Sequence, residues 1–199
     1  MALSSQYEVE IIGPAKLGDI WYPMKNMGIS IRPYPWKRYP FFIVTIRKMI
    51  KEIDADMLIA CKLRPTSFGI ALIKKWASGI PLVVDIDDWE LGFLYHSGFW
   101  GKVGRFLNFS NPNGLPYTWL MERLTGFADS IIVSNRFLQN KFSGPLVYHC
   151  RDTSILDPDK FDSDIIKTKL GLKGKRVVMF LGTPRAVSYT HLTLPTTPY

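Results

Sequence analysis

Short apolar runs recur along this chain, and between them apolar residues fall at the three- and four-residue spacing of a helix. The runs are Glu8 to Ile12, Ile29 to Arg32, Met57 to Cys61, Leu82 to Ile86, Ser130 to Val133, Leu146 to Tyr148 and Val177 to Leu181. A strand with one solvated face alternates apolar and polar residues, whereas a strand covered on both faces stays apolar throughout. Most of these runs are of the second kind. Phe42, Ile46, Met49, Ile50 and Ile53 share one face of a helix, as do Ile70, Ile73 and Trp76 ahead of Gly79, a helix stop. Pro81 falls at a strand's first residue, where a missing N–H is tolerated. Strands alternating with helices in this way predict an α/β fold with a Rossmann-like parallel sheet and helices on both faces.

Size and composition fit that pattern. With 199 residues, 47% hydrophobic and 21% charged, the chain is composed like a globular protein and unlike a disordered one. The formal charge of +8 favours anionic partners, whether phosphate-bearing small molecules, an anionic membrane surface or nucleic acid. Nothing resembles an RRM, KH or OB pattern, which ranks nucleic acid low. Cys61 and Cys150 have neither CxxC spacing nor a nearby His/Cys cluster, so buried free thiols are expected and no metal site. His96 and His149 also lack a neighbouring ligand residue and read as structural. Without a signal peptide or an apolar run of about 18 residues, the expectation is a cytoplasmic protein that touches a membrane at most peripherally.

Both ends change character. Residues 187–199 carry no charged side chain and no helical or alternating period; back-translated, Val187 to Thr197 resembles one reading frame of a transposase-type sequencing adapter. They are set aside from fold reasoning as an artefactual tail, the alternative being a natural polar C-terminus. At the start, Ala2 to Gln6 looks like the last turn of a helix feeding the strand Tyr7 to Pro14, so the sheet is expected to lack its first strand and glycine-rich turn. The alternative makes Glu8 to Ile12 the first strand and Gly13 to Gly18 its turn. Two glycines five apart, without GxGxxG, are weak evidence for a phosphate cradle.

Several segments, in order, are similar to the amino-terminal domain of family 4 glycosyltransferases. They are Tyr7 to Pro14; Ala55-Asp-Met-Leu-Ile-Ala60 followed by Gly79-Ile-Pro-Leu-Val-Val-Asp-Ile-Asp-Asp-Trp-Glu90; Ala128-Asp-Ser-Ile-Ile-Val-Ser-Asn135; and Asp152 to Phe161 followed by Phe180-Leu-Gly-Thr-Pro-Arg185. The resemblance spans nearly all of residues 2–185. It implies the amino-terminal half of a GT-B fold, an acceptor-side domain over 1–170, and the linker end and first strand of a donor-binding domain over 171–186. It also implies transfer of a sugar from a nucleotide-diphosphate sugar to a glycan or lipid-linked acceptor, without a required metal or other cofactor. The residues that grip the donor lie later in the family's second domain, so this chain by itself is expected to be inactive.

Candidate site residues follow from the strand ends, because ligands of open parallel sheets lie beyond the strands' carboxyl ends. Asp85, Asp87 and Asp88 fall where Leu82 to Ile86 runs out. Asp87 and Asp88 are the candidate catalytic pair, orienting an acceptor hydroxyl by accepting its hydrogen bonds, with Asp85 beside them on the acceptor. Family members often carry a His at the position matched by Asp87, so the usual role of that His does not transfer. As neighbours in a strand, Asp87 and Asp88 would point to opposite faces, unlike the facing carboxylates of a retaining glycosidase. The bland reading is a helix N-cap cluster before Trp89. Arg64 is a second acceptor-side candidate, with Thr66 or Ser67 capping the following helix; a solvated turn arginine is the alternative. Arg185 and Gly182 are donor-side candidates at the turn where the next helix should start.

Two basic aromatic stretches remain, Pro33 to Phe42 and Phe99 to Leu107. Rings beside Lys and Arg suit a membrane interface, and also ordinary core aromatics flanked by solvated charges. The competing functional reading is a non-catalytic one-domain α/β protein that binds an anionic ligand or membrane.

Overall fold

The computed structural model of the protein describes residues 3–15, 20, 28–95, 99–149 and 157–178. Two compact units divide the chain, Met1–His149 and Cys150–Tyr199. The first unit is α/β with parallel strands in two small sheets, compatible with a Rossmann-like fold. β1 (Glu10–Ala15) pairs with β2 (Ser30–Pro35) in one sheet. In the other, β4 (Leu82–Ile86) lies between β3 (Leu58–Cys61) and β5 (Ser130–Val133). Leu146 adds one parallel bridge to Val133, so the run Leu146 to Tyr148 forms a bridge rather than a strand. Gly13 and Pro14 lie within β1, which removes them from any turn.

Register explains why β4 is the best-sealed strand. Leu82, Val84 and Ile86 are fully buried on one face, level with Leu58 and Ala60 across one ladder and Val133 across the other. Their core is completed by α1 (Phe42–Glu52), which contributes Phe42 and Met49, and by α2 (Ile70–Ser78), which contributes Ile70, Ala71 and Leu72. Each fully buried side chain of this size stabilises by about 1.5–3 kcal/mol. Gly79 stops α2 at φ 73°, as the sequence predicts.

Two sequence expectations change here. The buried part of α2 is its first turn, all round, whereas Ile73 and Trp76 are exposed. This short helix enters the core end-on, so depth along its axis decides burial rather than a lengthwise stripe; Trp76 packs edge-on against Phe127 instead. β3 is not covered on both faces, because Leu58 and Ala60 are buried while Ile59 and Cys61 are exposed. An apolar residue at every position therefore did not mean two covered faces. Cys61 is an exposed free thiol rather than a buried one, and Cys150 lies outside the described residues.

Further helices follow β4. α3 (Glu90–Tyr95) and α4 (Phe99–Phe106) both pack with α5 (Leu115–Arg123), and α6 (Arg136–Phe142) lies on β5. The Asn135 side chain caps α6 by accepting from the Leu138 N–H at 2.9 Å. The second unit holds a 3-10 turn at 158–160 and α7 (Ser163–Lys169), whose N-cap Asp162 accepts from the Asp164 and Ile165 N–H groups. Val177 and Val178 form no strand, and the rest of the run to Leu181 lies outside the described residues.

Candidate functional site

The carboxyl ends of β3 and β4 lie side by side, because Cys61 and Asp85 are register partners at the last step of their ladder. The next residue on the β3 side is Lys62. Its N–H donates to the Asp85 carbonyl at 3.0 Å, and its backbone then turns into the left-handed region at φ 78°. A side chain with a Cβ adopts that conformation at a cost of about 1–2 kcal/mol. The turn brings the Lys62 ammonium to 3.3 Å from Asp87 Oδ1, 3.2 Å from Asp88 Oδ2 and 3.5 Å from Glu90 Oε1.

Asp87 and Asp88 thus converge on one cation. The strand alternation expected to separate them ends at Ile86, the last residue of β4, and beyond it the side chains are free of the pleat. Ser134, just past β5, holds the loop by donating its hydroxyl to the Asp87 carbonyl at 2.9 Å. Glu90 opens α3 with a side chain only 5% exposed. One of its oxygens, Oε2, accepts from Arg64 Nε at 2.8 Å and from a second nitrogen of the same guanidinium. Asp87 Oδ1 and Glu90 Oε1 are shielded from water and accept no hydrogen bond among the described residues, so the Lys62 charge is what compensates them.

Arg64 therefore faces the protein's own Glu90 rather than a vacant anion position. It precedes a single wide π turn, Pro65–Gly69, in which the Gly69 N–H reaches the Arg64 carbonyl at 3.2 Å. Neither Thr66 nor Ser67 caps the next helix; the Thr66 hydroxyl donates to Asn113 Oδ1 at 2.9 Å. Trp89 is fixed beside the cluster, its indole N–H donating to Glu122 at 3.0 Å and the Lys141 ammonium 4.7 Å above its ring.

Protonation follows from these contacts. Burial works to lower the Lys62 pKa, but Asp87, Asp88 and Glu90 together outweigh it and hold the ammonium above its ordinary value. Loss of hydration raises the Asp85 carboxyl, and Asp87 raises it further against the opposing pull of His149 and Lys62. The Cys61 thiol is likewise pushed up, first by loss of hydration and then by Asp85 and Asp87, so it is a poor nucleophile at neutral pH.

Of the candidates named from sequence, Asp85, Asp87, Asp88 and Arg64 gather here, while Gly182 and Arg185 lie outside the described residues. The sequence reading missed Lys62 and Glu90. Glu90 completes the acidic run that starts at Asp85, and Lys62 directly follows a strand, but their partnership is a product of the β3–β4 register. Among the described residues no three His, Cys, Asp or Glu side chains form a group suited to a metal ion. Compared with models of protein families and with curated proteins, the chain matches none.

Chemically, the cluster is a pair of partly exposed carboxylates held in place by a lysine, backed by a buried glutamate–arginine pair. Such a group can accept hydrogen bonds from a polyhydroxylated ligand. Its two cations are already neutralised, which makes it a poor receptor for phosphate.

Proposed function

We propose that this chain supplies the acceptor side of a glycosyltransferase of the GT-B kind. The reaction moves a sugar from a nucleotide-diphosphate sugar to a hydroxyl of a glycan or lipid-linked acceptor, in the cytoplasm and with a peripheral hold on an anionic membrane. The observation that carries the reading is the convergence of Asp87 and Asp88 on Lys62, beyond the carboxyl ends of two adjacent parallel strands. In this reading Asp87 and Asp88 accept hydrogen bonds from the acceptor hydroxyl and polarise it, and Asp85 lines the floor. Arg64 acts through Glu90 and Lys62 as a positioning residue. Gly182 and Arg185 would meet the donor diphosphate. The alternative of an anion-binding module loses support at this position, because Arg64 and Lys62 are occupied by carboxylates.

The same reading takes the two sheets as parts of one Rossmann-like sheet with a further parallel strand between β1 and β3. Two observations support it. Among the described residues β1 pairs only with β2 and β3 only with β4, yet residues of both sheets join a single core that includes Tyr34, Leu58 and Val84, with Ile12 packed against it.

Saturation-transfer NMR of the chain with glucose, galactose, mannose and N-acetylglucosamine tests the acceptor role. Ring protons of at least one sugar should receive saturation, and Asp87→Asn with Asp88→Asn should weaken that binding by about tenfold or more, the worth of charge-assisted hydrogen bonds. No transfer to any of the sugars, or binding unchanged in the double variant, would defeat the proposal.

A further inference from the structure

The structure sorts the two basic aromatic stretches. In the first, Tyr34 and Phe42 are buried in the core and Tyr39 packs between Phe42 and Tyr117, while Phe41 is exposed. In the second, the Trp100 and Phe106 rings face outward. Trp100 is 81% exposed and Leu107 63%, and Val103 and Phe106 are exposed beside them. By helical period these four positions occupy one arc of roughly 120°, with positions 102 and 105 outside it. α4 is therefore an amphipathic helix whose apolar side is turned to solvent. The helical path runs on to Leu107, whose N–H donates to the Val103 carbonyl at 3.0 Å, and exposed Phe109 follows. Trp119 and Leu120 are also exposed on α5, which packs against α4, and Arg123 lies 4.3 Å above the Trp119 ring.

Charge selects the occupant. From Leu91 through Met121 the chain contains no Asp or Glu, while α4 carries Lys102 and Arg105 and the whole chain carries +8. Exposed Trp, Phe and Leu on a stretch of chain with basic residues and no acidic ones complement an anionic lipid surface. Rings settle at headgroup depth, and long basic side chains reach the phosphates from beside them. Among the described residues no helix is long and apolar enough to cross a membrane.

We propose that α4 and the turn after it lie in the plane of an anionic membrane surface, with Trp100, Val103, Phe106 and Leu107 at the boundary between headgroups and acyl chains. The proposal deepens the peripheral hold assumed above and gives it a location. α4 follows α3, which starts at Glu90 of the carboxylate cluster, so the membrane contact and the candidate site belong to one stretch of chain. A short single helix gives weak, reversible and salt-sensitive attachment.

Co-sedimentation of the full chain with phospholipid vesicles tests it. The protein should pellet with phosphatidylcholine vesicles containing about one-third phosphatidylglycerol at about 0.15 M salt, and be released at about 0.5 M salt or when the vesicles are phosphatidylcholine alone. Trp100→Ser with Leu107→Ser should lower vesicle affinity at least about tenfold with an unchanged circular dichroism spectrum, and Arg105→Glu should lower it by about fivefold. No binding of the unaltered chain to anionic vesicles would overturn the proposal, as would binding that the Leu107→Ser single variant and the double variant leave unchanged. Self-association that the same substitutions abolish, without vesicle binding, would assign the patch to a second copy of the chain and overturn it equally. The vesicles carry no sugar acceptor, so this result is separable from the failure or success of acceptor binding.

Discussion

The two sheets of the first unit share parallel pairing, but the two-stranded one is the poorer in apolar residues, and they seal to different degrees. In the three-stranded sheet β4 is paired along both edges, and its Leu82, Val84 and Ile86 are fully buried. In the two-stranded sheet Glu10 and Ile11 of β1 are exposed, and only Tyr34 of β2 is deeply buried, its hydroxyl donating to Glu52. Arg32 and Glu10 form an ion pair between the two strands, where the larger sheet has apolar contacts. Proline position adds a second difference. The Trp36 N–H donates to the Ala15 carbonyl at 3.2 Å, so Arg32, Tyr34 and Trp36 turn their N–H groups toward β1. Pro33 and Pro35 therefore fall on the outer edge of β2, which has no donor at either position. That edge resists addition of another strand. On β1 the same alternation turns Glu10, Ile12 and Pro14 to the edge away from β2, so a strand added there would find N–H donors at Glu10 and Ile12 and none at Pro14. β3, apolar at every position and yet exposed at Ile59, shows that apolar composition alone does not make a strand central; pairing on both edges and a covered face do.

The largest expected effect comes from removing side chains at equivalent depth in sequence but not in structure. Leu82→Ala should lower unfolding stability by about 3 kcal/mol, since it empties a fully buried site. Ile11→Ala should cost under about 1 kcal/mol, because that side chain is exposed. Urea unfolding followed by circular dichroism measures both. Equal losses would mean that β1 is as well covered as β4, and the contrast between the sheets would fail.

A glycine pair gives a smaller and more local contrast. A Cβ at Gly144 would sit 2.6 Å from the Ile131 carbonyl oxygen of β5, a backbone atom that cannot step aside. A Cβ at Gly13 of β1 would meet nothing within 4 Å. Gly144→Ala should therefore destabilise by about 1–3 kcal/mol. Gly13→Ala should be neutral or stabilise by about 0.5 kcal/mol, through a less flexible unfolded chain. Thermal melts of the two variants sharpen the comparison, and a destabilised Gly13→Ala would show that the β1 surface is packed in solution.

Sequence reasoning did well where one local pattern suffices. The bounds of β4, the stop at Gly79, and the gathering of Asp85, Asp87 and Asp88 at a strand's carboxyl end all follow from short-range rules. It failed where the answer depends on what lies across space. The exposed Ile59 and Ile73 look like core residues, because an apolar side chain does not announce whether its face is covered. Lys62 and Glu90 were invisible as site residues, since a separation of 28 positions is closed only by pairing β3 with β4. The two aromatic stretches are alike in composition, and only tertiary packing buries Tyr34 and Phe42 of the one while Trp100 and Phe106 of the other are exposed.

The smallest effects are electrostatic and act on the three-stranded sheet from its two ends. At the start of β4 and β5, Asp129 Oδ2 accepts from the Leu82 N–H at 2.7 Å and pairs with the Lys75 ammonium at 2.6 Å. The Lys75 hydrogen bond, then the Leu82 N–H, hold this carboxyl below its ordinary value. A depressed carboxylate stabilises the fold above its unfolded pKa, and the contribution disappears as pH falls through the folded pKa. At the other end Asp85 is raised, by lost hydration and then by Asp87, so it destabilises at neutral pH, and the penalty is relieved as pH falls through the raised value toward the unfolded one. Asp129→Asn should therefore lower the melting temperature at pH 7, and Asp85→Asn should raise it. Both differences should shrink toward zero in acid below the usual Asp range, about pH 3.9, with that of Asp129→Asn persisting to the lower pH. Because Asp129 is solvent-exposed and its ion pair is screened, added salt should diminish its effect more than that of Asp85, which is partly desolvated. Melting curves from pH 3 to pH 8 at low and high salt would read the two ends separately. A shift of the same sign in both variants would show that the charge at one end is not held by the contacts described.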